Sequence, residues 1–520
     1  MTDYKSLKTK LLFLVVLLLV AGCIPIRMPN YLALRPYEAD SDYQEIYDRI
    51  SIPEDKPLTL CDAIDMAMLY NLDVRMQELE KEVSSESIVV QRMKMLPQLN
   101  IYGELSERNR SPAYASQPVT GGPWGPFSNS SERDNKIINE TLVWSYLNFG
   151  LAYMKARREI HQHVMLEQRH RRARQNLVLD IFRSYYRALI AQKALEKAQV
   201  LVKELDERER LLVGQIQQQL VPELEALVNR DQIIDMRTRL VAFQNEEKSA
   251  LTELKGLIGL APGKPIHLPP TEMHDIPIKL PSIKELEIDS LRYRPELLSQ
   301  DVKIQVDAED VHTALHQLFP DISLFAGDFE DGNKYLLFNN WMTIGVRIAY
   351  DLLSLPAKIN EAKQNALQRQ VDQQLRLSMS MGVLTQVHLA YINVDETKEQ
   401  FLLSKEQHKV KQDILRGVER LYRWGKSSPS DVLIRRVEAL FAEVNEFKSY
   451  ANILIALEQL DNAIGQPLRF TQDEIYCHHT RVQEEWEDFC YYWSIPPVVC
   501  PESCFEEPKF VETQWHEDCY

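Results

Sequence analysis

Glycine is scarce in this chain, with 17 among 520 residues. Length alone would suggest two to four domains. Gln, Glu, Leu, Ala, Lys and Arg crowd long stretches, however, which favours extended helix over several compact units. A membrane-spanning helix is lacking too: the apolar run Leu11 to Val20 is too short for a hydrocarbon core of about 30 Å. Basic residues are outnumbered, 60 Lys and Arg against 76 Asp and Glu, so nothing suggests a nucleic-acid partner. Much of the acidity is local, because residues 470–520 hold twelve acids against Arg481 and Lys509. Catalytic constellations are absent as well: no Gly-x-Ser-x-Gly, no His-Glu-x-x-His and no phosphate-cradling glycine loop. The twelve histidines scatter over expected helix surfaces, and the pair His478-His479 beside Cys477 lacks the spaced partners of a metal site. No enzyme, cofactor or resident metal is expected.

The first 23 residues have the form of an address. Lys5, Lys8 and Lys10 precede the apolar run, which ends in Leu19-Val20-Ala21-Gly22-Cys23. These residues resemble the bacterial lipoprotein signal box, which implies cleavage before Cys23 and lipid, palmitate included, on that residue. An ordinary signal peptide with an incidental cysteine is the alternative. Export permits disulfides. Cys61, Cys477, Cys490, Cys500, Cys504 and Cys519 could all pair within one chain, in a connectivity that sequence does not reveal.

The chain is written twice. Asn71-Leu72-Asp73-Val74 lies 223 residues before Arg294-Pro295-Glu296-Leu297, and Leu96-Pro97-Gln98-Leu99 matches Phe319-Pro320-Asp321-Ile322 at the same offset. Beyond these the offset is 206: Tyr185 matches Tyr391, Leu227 matches Leu433, and Ile258-Gly259 matches Ile464-Gly465. An insertion of 17 residues in the first half explains the change, and the Pro/Gly/Ser-rich stretch from Asn109 to Asn135 is its expected place. Six prolines mark residues 261–282 as a linker. The expected divisions are an address (1–23), a Pro-rich N-terminal segment (24–57), a first repeat (58–260), the linker, a second repeat (283–468) and an acidic, Cys-rich tail (469–520).

Each half reads as helix, two strands, long helix, turn, helix. The stretch 58–95 is expected to be one helix, stopped by Pro97. Strands are expected at about 98–108, 136–149, 321–330 and 340–351. In the clearest, Met342, Ile344, Val346, Ile348 and Tyr350 alternate with Thr343, Gly345, Arg347, Ala349 and Asp351. That pattern suits a barrel wall between lipid and water, and it suits an ordinary half-buried strand equally well. From Leu177 to Ile216 a 4-3 seam has ten apolar residues in twelve positions, the spacing of a coiled coil. In the second half His408 and Lys411 fall on that seam. A helix over 150–218 would be roughly 100 Å long, and such a rod needs partners. Four strands cannot close a barrel either, and an open edge in lipid would leave backbone groups unpaired. Three chains would supply twelve strands and twelve helical staves.

The lipobox, the duplicated halves and the Leu-Pro run into the first strand resemble the TolC family of outer-membrane efflux proteins over about residues 58–468. The most specific stretch is Tyr422-Arg423-Trp424-Gly425-Lys426-Ser427-Ser428-Pro429-Ser430-Asp431-Val432-Leu433, similar to the family's hairpin turn. Its first-half counterpart, Gln219-Leu220-Val221-Pro222-Glu223-Leu224-Glu225, lacks the glycine and the aspartate. The resemblance implies a mainly α fold with a small transmembrane β part: a homotrimeric α-helical tunnel topped by a 12-stranded β-barrel, four strands per chain. It implies an exit duct for small molecules in the outer membrane, lipid-anchored and extending into the periplasm. The implied partners are outer-membrane lipid, a periplasmic adaptor (membrane fusion protein) and an inner-membrane transporter. A type I protein-secretion duct and a pore-less, lipid-anchored coiled-coil scaffold are the competing readings.

The resemblance also implies that the hairpin tips form the periplasmic entrance and adaptor contact, through Leu220, Val221, Glu223, Gly425, Ser427, Ser428 and Asp431. A threefold ring of Asp431 would attract cations, and an Asp so close to a helix start equally reads as a cap. Where the family often carries a second acid, this chain has Ile434. Gly425 suits a turn with positive φ. Tyr422 and Trp424 read as core packing or as adaptor contact. Arg420, Arg423, Arg435 and Arg436 could close the entrance by ion pairs or form a solvated face.

Overall fold

A computed structural model describes residues 30–50, 56–110, 112–129, 131–218, 222–270, 273 and 280–465. After α1 (Tyr31–Asp48), the same series of elements occurs twice. The first half runs α2 (Leu60–Tyr70), α3 (Leu72–Met93), β1 (Gln98–Glu107), a small β2–β3 hairpin (Ala113–Tyr114, Ser128–Asn129), β4 (Asp134–Ser145), α4 (Tyr146–Gln217) and α5 (Glu223–Leu257). The second runs α6 (Ile283–Tyr293), α7 (Pro295–His316), β5 (Asp321–Asp331), β6 (Asn340–Ala349), α8 (Leu355–Arg423) and α9 (Pro429–Ile464). The longer strand connection, 108–133 against 332–339, lies where the repeat offset changes.

The stretch 58–95 is two helices, not one. Asn71 takes an extended conformation (ψ 125°), and its side chain accepts hydrogen bonds from Asp73 N and Val74 N, ending α2 and capping α3. Its Nδ2 also donates to Leu257 O at 2.9 Å, which ties the break to the end of α5. Arg294 occupies the matching joint, where Pro295 starts α7. Both joints receive a glycine from the end of their own half. Gly259 (φ +74°) and Gly465 (φ +88°) lie so close that an added Cβ would be 2.5 Å from Tyr70 O and 2.9 Å from Tyr293 O respectively. Positive φ and backbone contact together leave no room for a side chain.

The sheet is antiparallel throughout, in the order β1-β4-β5-β6. β4 ends at Ser145, four residues before the expected boundary. There Ser145 Oγ accepts from Asn148 N and donates to Asp321 Oδ1, capping α4 and fastening it to β5. One sheet face is exposed and mainly apolar, with Leu99, Ile101, Leu105, Leu142, Leu324, Ile344, Val346 and Ile348, and carries Glu140, Asp328 and Glu330 towards its loop end. Strands β1 and β6 are its two edges.

α4 has 72 residues and α8 has 69, so each is about 105 Å long. α3 and α5 lie end to end along α4, α7 and α9 lie on its other side, and α8 packs against α7 and α9. The expected seam on α4 holds: Leu177, Ile181, Ser184, Ala188, Ala191, Ala198, Leu205 and Leu212 are buried, against partners that include Ile233, Leu240, Ala250 and Leu254.

The largest core lies midway along the rod. It joins α2, the middle of α4, the end of α5, and Phe447, Tyr450 and Leu454 of α9. Part of the proline-rich linker belongs to it: Ile266 and Leu268 are buried, and His267 O accepts from Leu58 N at 2.8 Å. Cys61 at the start of α2 is disulfide-bonded. No described helix is long and apolar enough to cross a membrane.

Candidate functional site

The two hairpin turns lie at the same end of the rod. Arg208, near the end of α4, donates from Nε to Ser430 Oγ (2.7 Å) in the first turn of α9, and Arg436 Nη1 lies 3.4 Å from Glu204 Oε2. Arg208 carries no signal in the sequence, because it lies beside the heptad seam and joins elements 222 residues apart.

The second turn is closed by its own side chains. α8 ends at Arg423, Gly425 takes φ +70°, and Lys426 N donates back to Leu421 O at 2.9 Å. This is the left-handed helix stop for which glycine is suited. Ser428 then caps α9, with Pro429 at its first position. Ser428 Oγ accepts from Asp431 N (3.1 Å), and Asp431 Oδ2 accepts from Ser428 N (3.1 Å), from Ser428 Oγ (2.8 Å) and from Ser427 Oγ (3.3 Å). These bonds, led by the Ser428 backbone amide, hold the Asp431 carboxyl below its usual range. Asp431 thus closes a capping box within its own subunit.

Among its described residues the first turn shows none of these devices. Pro222 sits at the cap position of α5 without a side-chain hydrogen bond, and Glu223 is exposed. Leu220 and Val221 lie outside the described residues, as do Cys23, the tail cysteines and the His478-His479 pair.

Aromatic residues beside the second turn point to solvent. Trp424 is 69% exposed and Tyr422 46%, so neither belongs to the core of this chain. The arginines are engaged within the chain: Arg435 pairs with Glu438, Arg436 with Glu204 and Glu419, and Arg420 and Arg423 reach back to carbonyls of their own helix. Among the described residues no group of His, Cys, Asp and Glu could hold a metal ion.

The other end of the rod carries the sheet. Its second face holds Tyr102, Glu104, Asn139, Thr141, Thr343 and Arg347 beside Phe325, Phe329 and Trp341, and is the more polar of the two over the helix-proximal rows, as a wall between water and lipid requires.

Comparison with known proteins agrees with this layout. No curated protein matches the sequence. Among solved structures, the outer-membrane channel OprN superposes with a TM-score of 0.63 at 16% identity, over 82% of this chain and 95% of that one. The Campylobacter jejuni CmeC outer membrane channel gives 0.63 at 15% identity, over 82% and 88%. The Neisseria gonorrhoeae MtrE outer membrane channel, in its open state, gives 0.62 at 16% identity, over 78% and 89%. These likenesses establish the fold. The family description "Outer membrane efflux protein" matches residues 63–260 and 289–466, which are the two structural repeats. The chain belongs to the outer membrane efflux protein family, a family of channels rather than enzymes.

Proposed function

We propose that this chain is one subunit of a homotrimeric exit duct, through which small molecules leave the periplasm across the outer membrane. The carrying observation is that sheet and helical layer are left open on the same two sides. β1 and α3/α5 form one margin, and β6 and α8 form the other. Exposed apolar residues line both helical margins: Leu72, Met76, Leu79 and Val83 on α3, and Leu367, Val371, Leu375 and Leu389 on α8. A threefold axis brings the second margin of one copy to the first margin of the next. It pairs β6 with β1, covers the helical stripes and leaves no open sheet edge in lipid.

The apolar sheet face then meets lipid, and the rod hangs into the periplasm as a tunnel of twelve staves. A pore-less scaffold would leave that face in water, which argues against the competing reading. The hairpin tips, with Leu220, Val221, Glu223, Gly425, Ser427, Ser428 and Asp431, form the periplasmic mouth and meet the adaptor that links the duct to an inner-membrane transporter. Exposed Trp424 and Tyr422 supply the aromatic surface such a contact favours. Cys23 carries lipid and anchors the amino terminus to the outer membrane. Asp431 has a structural duty as cap, and a threefold ring of it at the mouth adds a negative potential.

The test is extraction and mass. The protein is expected in the outer-membrane fraction, soluble only in detergent, with a detergent-corrected mass of three chains and ion conductance in planar bilayers. A detergent-free, soluble monomer would remove the proposal.

A further inference from the structure

The polar face of the sheet carries a row of three aromatic residues and one asparagine. Reading across the register, Tyr102 of β1 stands opposite Asn139 of β4, Asn139 opposite Phe329 of β5, and Phe329 opposite Trp341 of β6. The Phe329 and Trp341 rings stack at 5.8 Å with 9° between their planes. Two rows nearer the helices, Phe325 stands opposite Gly345, with the Arg347 guanidinium 5.4 Å from its ring centre. A Cβ on Gly327 would come 2.8 Å from Phe329 Cε2, and one on Gly345 would come 2.6 Å from Phe325 Cζ. The glycines are floors that let both rings lie flat against the wall.

This face is the better shielded one. On β5, Ser323 and Gly327 are buried and Phe325 and Phe329 half-buried, while Ile322, Leu324, Asp328 and Glu330 on the other face are exposed. A curved sheet shields its inner side in this way, and in a barrel the inner side is the lumen. One row nearer the outer loops, Glu104, Ile137 and Asp331 stand opposite one another, two acids without a base. Tyr102 donates to Glu104 Oε2 at 2.5 Å, which orients the carboxylate beside the aromatic row.

Resting on the reading of the chain as a trimeric barrel, we propose that Tyr102, Phe329 and Trp341 form an aromatic collar in the lumen that transiently holds planar organic cations on their way out. Ring faces attract cations and stack with planar solutes. The carboxylates of Glu104 and Asp331 add a field of the complementary sign, repeated threefold around the duct. Alkyl cations would feel the carboxylates and the ring quadrupoles but could not stack, and neutral aromatics would feel the rings alone.

The experiment uses the purified full-length channel in planar bilayers, with ethidium as planar aromatic cation and tetraethylammonium as an alkyl cation of equal charge. Ethidium is expected to reduce the wild-type conductance at concentrations about tenfold below those of tetraethylammonium. The variant F329L/W341L, which keeps apolar bulk, should weaken ethidium block at least about fivefold and tetraethylammonium block by clearly less, since only the planar cation also loses stacking. E104Q/D331N should lower cation-over-anion permeability and weaken both blockers alike. Should F329L/W341L fail to assemble, W341L alone is measured in the same way. Ethidium block that survives loss of the rings, or equal block by both cations in wild type, overturns the collar. A wild-type protein without any conductance overturns instead the conduit reading beneath it.

Discussion

The two hairpins α4–α5 and α8–α9 are copies whose solutions have diverged. In the first, Val202 and Leu205 of α4 and Leu240 of α5 belong to an apolar cluster, and Leu205 is fully buried. The residues 206 positions later are His408, Lys411 and Glu446. His408 Nδ1 bonds to Glu446, a residue only 6% exposed, and Lys411 pairs with Glu438 at 2.9 Å. The tips differ in the opposite sense: the polar hairpin has the fully capped turn, and the apolar one starts α5 from an uncapped proline. Both hairpins have apolar packing further from the tip, but towards it the first is held by apolar contacts and the second by ion pairs and a capped turn. A repeated scaffold therefore needs only the helical period at each position, and leaves open which force joins the helices.

Replacing His408 by Val should cost about 3–5 kcal/mol, because Glu446 would stay buried without its partner. Adding Glu446→Leu, which rebuilds the apolar pair of the first hairpin, should recover that loss and add about 1–4 kcal/mol. Thermal unfolding followed by helical circular dichroism in detergent separates the two. A double variant no more stable than the single one would mean that the hairpins do not share a packing plan.

Glu458 of α9 sharpens the contrast elsewhere, since its first-half counterpart Thr252 is exposed. Burial pushes the Glu458 carboxyl up to about 7, from an ordinary 4.5. A carboxyl raised in the folded state binds its proton more tightly there than in the unfolded chain. Its contribution is therefore full below pH 4.5 and falls as the pH rises towards 7. Glu458→Gln should flatten that decline and raise stability at pH 8 by up to about 3 kcal/mol. Equal melting temperatures of wild type and variant at pH 5 and pH 8 would contradict it.

The smallest effect is expected at the tips. Ser428→Ala removes the cap of α9 and should cost about 1 kcal/mol, whereas Pro222→Ser, which offers α5 a cap, should gain a few tenths up to about 1 kcal/mol. Hydrogen exchange at the amides of 429–432 and 223–226 would detect both, with faster exchange in the first variant and slower in the second.

Much of the architecture was legible in residue order. The offsets of 223 and 206 located both copies and the insertion, and the alternation in Met342–Tyr350 located a two-faced strand, because side-chain period reports which faces are wet. The helix break at Asn71 escaped, since its cause is a tertiary bond to Leu257 O and the close approach of Gly259. The capping box of Asp431 was open to reading as Ser-x-x-Asp beside a ring at the mouth, and the hydrogen bonds to Ser427 and Ser428 establish the cap.

Sequence by itself determined that the chain is duplicated, that its helices are rods and that its strands separate two environments, because each of these is a periodicity carried by neighbouring residues. Only the tertiary structure decided that the linker's Ile266 and Leu268 belong to the core, that Arg208 joins the two turns, and that Tyr102, Phe329 and Trp341 share one row. Those facts depend on strand register and on the packing of segments hundreds of residues apart, which no local pattern encodes.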